Sequence, residues 1–541
     1  MMKKIYFAAF ALASVMPVAA QDTYESGRLL GSDLNGTARY VGMGGAMEAL
    51  GADISTISTN PAGIGLFRHS AVSASMGLVS QQDVNKYDGL GKTNLSFDQA
   101  GFVYSLRTNR RSYINLAFNY HKSRNFDQIL SVADHAIRDA SSNMQTALKD
   151  QRGDYKLDYN KDGQLIGFRG GSEAYNFSQM DWLNANVLSD EERTTKDGKE
   201  VVDLFLNPIA ADTYNFDRAH RGWIADFDFN ISGNSNDRFF WGVTVGIKSV
   251  KYKGRSGYAE GLRFMDGEDA GIVSYGDERK IDGTGFDIKA GVIFRPVESS
   301  PFRIGLSVST PTWYDLKSSN LTAISNESAM GALVDGGYTT DGDISNTYKF
   351  KYFTPWKFGV SLGHTIGTSI ALGASYEYSD YGASKNRIND GSSYDWYYDT
   401  YYEHSHTDEL MKHNTEQVMK GVSTLKLGAE FKPVPELAIR LGYNYVTAAY
   451  EENGIRDQTI NSLGVYYAST SDYVNWKGTN RITCGLGYKA GPMNIDLAYQ
   501  YSGTNGKFYP FQPDLDQAAK VQAADVSNKR HQVLLTLGYT F

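Results

Sequence analysis

His531-Gln532-Val533-Leu534-Leu535-Thr536-Leu537-Gly538-Tyr539-Thr540-Phe541 closes the chain and decides how the rest is read. Val533, Leu535, Leu537, Tyr539 and Phe541 alternate with Leu534, Thr536, Gly538 and Thr540. Successive side chains of a β-strand point to opposite faces, so the first set makes a continuous apolar row and the second a smaller, more polar one. About ten residues is the length of a tilted strand crossing hydrocarbon. The segment is expected to show its apolar row to lipid and its other row to a lumen.

The pattern repeats upstream. Trp223, Phe227, Phe229 and Ile231 alternate with Asp226, Asp228 and Asn230, and Ile370, Leu372, Ala374, Tyr376 and Tyr378 form another outward row. Further rows are Leu425/Leu427/Ala429/Phe431, Leu437/Ile439/Leu441/Tyr443/Tyr445 and Ile482/Cys484/Leu486/Tyr488. The alternation predicts strands at 70–79, 98–107, 112–121, 221–232, 238–250, 284–295, 301–310, 355–364, 369–380, 421–432, 436–447, 478–489, 493–502 and 530–541. From strand two onward, every second connection is short, such as 108–111, 233–237, 365–368 and 490–492. The others are long: 80–97, 122–220, 251–283, 311–354, 381–420, 448–477 and 503–529. Short turns at one end and long loops at the other are the two ends of a membrane barrel. The fold class is therefore all-β, a transmembrane antiparallel β-barrel of about 14 strands.

Charges fall on the lumen side: Asp226, Lys248, Asp287, Lys289, Arg303, Lys426, Glu430, Arg440, Arg481 and Asp496. On a lipid face each Lys or Arg at mid-bilayer would cost about 2–4 kcal/mol. Their mixed signs predict a lumen lined by compensating charges. Glycines at 242, 246, 291, 305, 373, 428, 442, 485 and 487 also face inward. Two readings stay open for them: room for something inside, or eased curvature.

Composition narrows the class. With 53 Lys+Arg against 61 Asp+Glu, net −8, no nucleic-acid partner is expected. A single cysteine, Cys484, excludes a disulfide scaffold and a cysteine-based zinc site. Mean hydropathy of −0.40 excludes a helical membrane bundle but not a barrel, whose strands are apolar on one side only. Residues 1–20 read as an export signal. Lys3 and Lys4 precede the apolar stretch from Ile5 to Val15, and Val18-Ala19-Ala20 supply the cleavage site before Gln21. The division is signal 1–20, N-terminal hatch or plug 21–69, and barrel with long extracellular loops 70–541, the largest being 122–220.

Residues 21–69 do not alternate. Gly36-Thr37-Ala38-Arg39-Tyr40-Val41-Gly42-Met43-Gly44-Gly45-Ala46 leads to Asp53-Ile54-Ser55-Thr56-Ile57-Ser58-Thr59-Asn60-Pro61-Ala62-Gly63. No strand precedes the glycines and no βαβ unit follows, so a dinucleotide fingerprint is not supported. With the terminal Tyr539-Thr540-Phe541, which resembles the C-terminal signal of bacterial outer-membrane barrels, the chain resembles the FadL-type family of outer-membrane transporters for hydrophobic compounds. The likeness extends to Thr354-Pro355-Trp356-Lys357-Phe358-Gly359-Val360, Leu427-Gly428-Ala429-Glu430-Phe431 and Arg440-Leu441-Gly442-Tyr443. It implies a fourteen-stranded barrel plugged by a hatch whose Asn60, Pro61, Ala62 and Gly63 meet the wall. Proline biases Asn60 toward extended geometry, and Gly63 permits a turn. In the family a kink in the third strand accompanies a sideways exit; here Ser112 to His121 contains neither Gly nor Pro.

Other groups carry weaker signals. Asp158, Asn160 and Asp162 open like an EF-hand loop, but position twelve is Arg169 where a bidentate Glu is required, so a polar turn is the main reading. His404, His406 and His413 share a loop with many acids. Tyr394, Trp396, Tyr397, Tyr398, Tyr401 and Tyr402 cluster there too, as a candidate ligand-capturing surface. No spacing of Ser, His and Asp distinguishes a catalytic triad, so no enzyme and no cofactor are expected. The expected function is uptake of small hydrophobic, long-chain fatty acid-like molecules across the outer membrane by a monomer set in lipid and lipopolysaccharide. The alternatives are a non-transporting barrel of a surface protein-export system and a haemin receptor.

Overall fold

The computed structural model describes residues 21–541 except 154–155, 160–164, 170–174, 197–198, 207–208, 265, 330–339 and 513–520. Fourteen strands form the wall. They are β1 (Ala71–Gln81), β2 (Thr93–Asn109), β3 (Ser112–Asn125), β4 (Ala210–Ser235), β5 (Phe239–Arg263), β6 (Asp269–Phe294) and β7 (Arg303–Ser309). The rest are β8 (Lys357–Ile366), β9 (Ile370–Asp380), β10 (Gly421–Val434), β11 (Leu437–Val446), β12 (Tyr473–Ala490), β13 (Met493–Tyr509) and β14 (Ala524–Thr540). Each pairs antiparallel with the next, and β14 returns to β1 from Ala71↔Thr540 to Gln81↔Arg530. Every backbone edge is thereby paired, which hydrocarbon requires of a spanning sheet. No helix among the described residues is long and apolar enough to cross a membrane.

The terminal segment behaves as its alternation dictates. Val533, Leu535, Leu537, Tyr539 and Phe541 are exposed outward, while Leu534 and Thr536 are buried inward. Leu425, Leu427 and Phe431 repeat this on β10, and Ile482, Leu486 and Tyr488 on β12. A continuous exposed apolar surface of this extent is what a barrel presents to lipid, not to water.

Several strands run much further than the alternation shows. β4, β5 and β6 are 26, 25 and 26 residues long and rise well past the apolar belt at the long-loop end. Beyond lipid no face need be uniformly apolar, so these extensions leave no regular row. Proline punctuates the wall between β7 and β8. The ladder stops at Thr310 and Pro311, resumes as Trp313–Ser328 paired with Thr340–Phe353, and stops again at Pro355 before β8. Proline has no N–H to give the ladder.

Between 122 and 220 the described residues do not form an open loop. Strand Gln128–Ala140 continues β3 alongside β4, followed by α3 (Ser142–Gln151) and α4 (Gln179–Val187). Their apolar faces share one core with the upper strands: Leu130, Phe177, Leu183, Tyr214, Phe216, Tyr275 and Phe508 are all buried in it. A capping box between Ser178 and Asp181 starts α4, and the Lys149 ammonium meets Asp181 at 2.7 Å beneath it. The result is a packed lid over the barrel mouth.

Candidate functional site

The segment from Gln21 to Ser70 lies inside the barrel and runs down it. α1 (Thr23–Gly27) sits beneath the lid, where Asp22 and Glu25 meet Arg456, and Glu25 also meets Arg279. Further down, α2 (Ala38–Gly42) crosses the lumen. The 3₁₀ turns Ile54–Ser58 and Pro61–Leu66 then rest near the short-turn end before β1 begins. Helices this short are marginal alone, so they persist by side-chain capping and burial. Thr37 caps α2 by accepting from the Tyr40 amide at 3.1 Å, and its hydroxyl donates to Asp53 at 2.8 Å.

The inward glycines can now be read. A methyl group at Gly373 would overlap the Ala46 carbonyl, at Gly428 the Met43 carbonyl, at Gly442 the Gly44 amide, and at Gly242 the Pro61 carbonyl. These positions are small because hatch backbone lies directly on the wall. Gly246 and Gly487 serve differently, leaving room for the charged groups of Asp287 and Asp496.

Asn60, Pro61, Ala62 and Gly63 are all buried. The Asn60 carboxamide oxygen accepts from the Ala62 amide at 3.2 Å, an N-cap, and its side chain fills the space beside Gly291 and Gly305. The turn therefore faces β5, β6 and β7. The third strand shows no gap: β3 pairs with β2 up to His121 and with β4 up to Asn125, with a bulge at Lys122–Arg124.

Two cavities lie on either side of the hatch. The upper, about 440 Å³, is lined by hatch residues 24, 27–35, 40 and 58–59 and by residues of all fourteen wall strands. The lower, about 290 Å³, opens at the short-turn end beside Arg39, Asp53, Glu430 and Arg440. Between them the seam is closed by ion pairs from hatch to wall. Arg39 meets Glu430 at 3.2 Å, and Glu430 meets Arg440 at 2.7 Å. Glu48 meets Lys426 at 2.7 Å, and Lys426 also holds Glu377. Lys426, Glu430 and Arg440 were legible as inward charges, but their hatch partners Arg39 and Glu48 carry no local signal.

A second charged group staples β3 to β6. Asp226 pairs with Lys248, Lys248 with Asp287 at 3.3 Å, Asp287 with Lys289 at 3.1 Å, and Lys289 with Asp228 at 2.7 Å. His121 closes the ring, its two nitrogens 3.6 Å from Asp228 and 4.0 Å from Asp226. His121, Asp226 and Asp228 are close enough to hold a metal ion, but each carboxylate already answers a lysine.

The aromatic cluster lies elsewhere. Tyr394, Trp396, Tyr397, Tyr398, Tyr401 and Tyr402 crown the hairpin Lys385–Asp395/Thr400–Thr407, strongly exposed and lining neither cavity. On the same hairpin His404 meets Ser393 and His406 meets Asp390 at 2.6 Å, while His413 faces Gln417 at 3.0 Å. Asp158 sits in strand Lys156–Tyr159, paired with Leu165–Arg169, and Asn160 and Asp162 lie outside the described residues.

No protein-family model matches the chain. No curated protein matches it either. Among solved structures it is similar to the toluene transporter TbuX of Ralstonia pickettii, at 13% identity and a TM-score of 0.45 over 94% of this chain and 99% of that one. It is also similar to the toluene transporter TodX of P. putida, at 12% and 0.47 over 94% and 99%. A FadL homologue of Pseudomonas aeruginosa aligns at 12% and 0.45 over 97% and 100%.

Proposed function

We propose that this chain is an outer-membrane uptake barrel, long-loop end outward, that admits small hydrophobic and amphiphilic molecules of the long-chain fatty acid kind. The observation that carries the reading is the arrangement of two cavities on either side of one hatch, parted by a seam of ion pairs. A plug held by charge pairs and glycine-deep contacts is removable without breaking the wall, and a structural filler would need no cavity on each side. Ligand enters beneath the lid, rests in the upper cavity, and leaves through the seam when Arg39 and Glu48 part from β10. A sideways route through β3 finds no support in its unbroken pairing.

The test is uptake of labelled dodecanoate by cells that depend on this barrel. Asn60→Ala, which removes the cap on the turn bearing Pro61, is expected to lower uptake several-fold while the barrel still assembles. Unchanged uptake would count against the hatch role.

The aromatic hairpin favours a second reading, a barrel that holds an exported protein at the surface. Its six rings line neither cavity and stand in water, where a partner chain can cover them. Co-purification of secreted polypeptide with an otherwise empty barrel would favour it.

A further inference from the structure

We propose that Arg221, Lys251, Lys253, Lys280, Lys317 and Lys349, on the outer wall of the barrel, form a binding site for the phosphorylated saccharide headgroup of an outer-leaflet lipid of the lipopolysaccharide kind. The inference takes from the uptake reading only its orientation, long-loop end outward, and does not depend on what the barrel carries.

Every second residue of β5 faces outward. Phe239, Val243, Val245 and Ile247 are exposed apolar side chains, Ser249 follows, and the same row then continues as Lys251, Lys253 and Arg255. The neighbouring strands change at the same level. β4 passes from Phe229 through Trp223 to Arg221, and β6 from Phe286 through Asp282 to Lys280. The strand Trp313–Ser328 passes from Trp313 to Lys317, and Thr340–Phe353 from Phe353 to Lys349. Large aromatics at such a border mark the membrane interface, and Trp223 and Trp313 are each 38% exposed there. The cations therefore begin where the headgroups begin.

Register sets these cations abreast. Lys251 lies between Trp223 and Asp282, Asp282 is opposite Lys317, and Lys317 is opposite Lys349. Two residues higher, Lys253 lies between Arg221 and Lys280. Like charges directly opposite destabilise a sheet, and here three stand side by side across about 10 Å. The carboxylates at hand are too few. Glu278 alone serves Lys253 at 3.2 Å, Lys280 at 3.1 Å and Arg255 at 3.3 Å. Asp88 serves both Arg221 at 3.4 Å and Arg255 at 2.6 Å. Lys251, Lys317 and Lys349 have no carboxylate within 4.0 Å among the described residues, and the Lys251 ammonium lies 5.8 Å over the Trp223 ring.

A chain of net −8 thus gathers a cationic surplus on one sector of its outer wall, beside lipid. Other rows leave the belt without one: β9 through Tyr376 and Tyr378, β10 through Leu425 and Ser423. An ammonium offers three N–H donors, a phosphate accepts from several at once, and basic residues at a membrane surface are drawn to anionic headgroups. The patch continues the lipid-facing row without a break. A lipid whose tails lie along Val245, Ile247 and Phe286 brings its phosphates to Lys251, Lys253 and Lys280.

The experiment is native mass spectrometry of the full-length barrel in phosphatidylcholine nanodiscs. The probes are lipid A bearing both phosphates, the same lipid dephosphorylated, and inorganic phosphate. Wild type is compared with the triple variant Lys251→Gln/Lys253→Gln/Lys280→Gln and with Arg107→Gln/Arg110→Gln at the short-turn end. Wild type is expected to bind the phosphorylated lipid at least about tenfold more tightly than the dephosphorylated one. That preference is lost in the triple variant and kept in R107Q/R110Q. Raised salt should also weaken it in wild type, a readout that stands even where the triple variant assembles poorly. Equal binding of the two lipids by wild type, or an equal loss in R107Q/R110Q, overturns the site. Inorganic phosphate that displaces the lipid at equal concentration overturns the headgroup as its occupant. A preference in nanodiscs without lipopolysaccharide on barrels drawn directly from the outer membrane overturns the outward orientation. Hydrophobic uptake is separable: dodecanoate uptake that persists when the triple variant loses its lipid preference supports the site and leaves the uptake reading standing.

Discussion

Asn60 shows how far a single residue can be read in advance. Its place before Pro61, with Gly63 following, made an extended residue and a turn legible, because both preferences are written in adjacent residues; that Asn60 also caps the turn is seen only in the structure. The glycines that receive it, Gly291 and Gly305, were visible only as small residues on an inward row, since nothing in a strand records what lies across a lumen. Gly291→Ala is therefore expected to displace Asn60 and raise leakage of small solutes through the barrel, measured as antibiotic sensitivity of the cells. Unchanged sensitivity would show that the turn yields without opening the seam. Glu260, on the upper extension of β5 where Ser142 of the lid meets it, makes a pH prediction. Burial pushes its carboxyl up to about 7, although it accepts from the Ser142 amide at 3.0 Å and the Tyr258 hydroxyl at 2.7 Å. An acid whose folded value is raised holds a proton that the opened chain releases. Lid stability is then greatest below about pH 4.5, falls as pH rises toward 7 by at most ~3 kcal/mol, and is level above. Thermal unfolding of the lid followed by Trp182 fluorescence should show that slope in wild type and lose it in Glu260→Gln; an equal slope in both would remove Glu260 as its source.

At the scale of elements, the strands were the legible part. All fourteen predicted segments lie on wall strands, because lipid on one side and lumen on the other impose a strict period of two. Their upper extensions were not legible, since above lipid that constraint ends. Nor was the lid, whose core draws on residues from Leu130 to Val526 and so has no local period. The ring at β3–β6 belongs to this scale. Lys289→Met leaves Asp228 and Asp287 short of a partner in a buried setting and is expected to destabilise the barrel by about 3–5 kcal/mol. The shift from folded to unfolded mobility in heated gel samples should come at lower temperature, and an unchanged transition would mean the ring is not a staple. The aromatic hairpin supplies a kinetic test of capture. Replacing Trp396, Tyr397 and Tyr398 by Ser is expected to slow dodecanoate association while leaving its equilibrium affinity unaltered, as these rings line neither cavity. A lost affinity would place the hairpin in the binding site itself.

For the whole molecule, one chain builds a wall, a plug and a lid that are tied by charge. Asp22 and Glu25 join the hatch to Arg456 and Arg279 under the lid, and Arg39 and Glu48 join it to β10 below. The plug was legible as a stretch that fails to alternate ahead of strands that do, but its course down the lumen depends on pairings across hundreds of residues. On the function proposed, the cavity above the plug would hold an amphiphile part-way across a membrane before it reaches the cavity below. Mass spectrometry of the intact barrel, extracted into lipid nanodiscs without hydrophobic detergent tails, tests that most directly. The account predicts one fatty acid-like molecule retained per barrel, released when the hatch is unpinned by Lys426→Gln. An empty barrel that instead retains secreted polypeptide would contradict it.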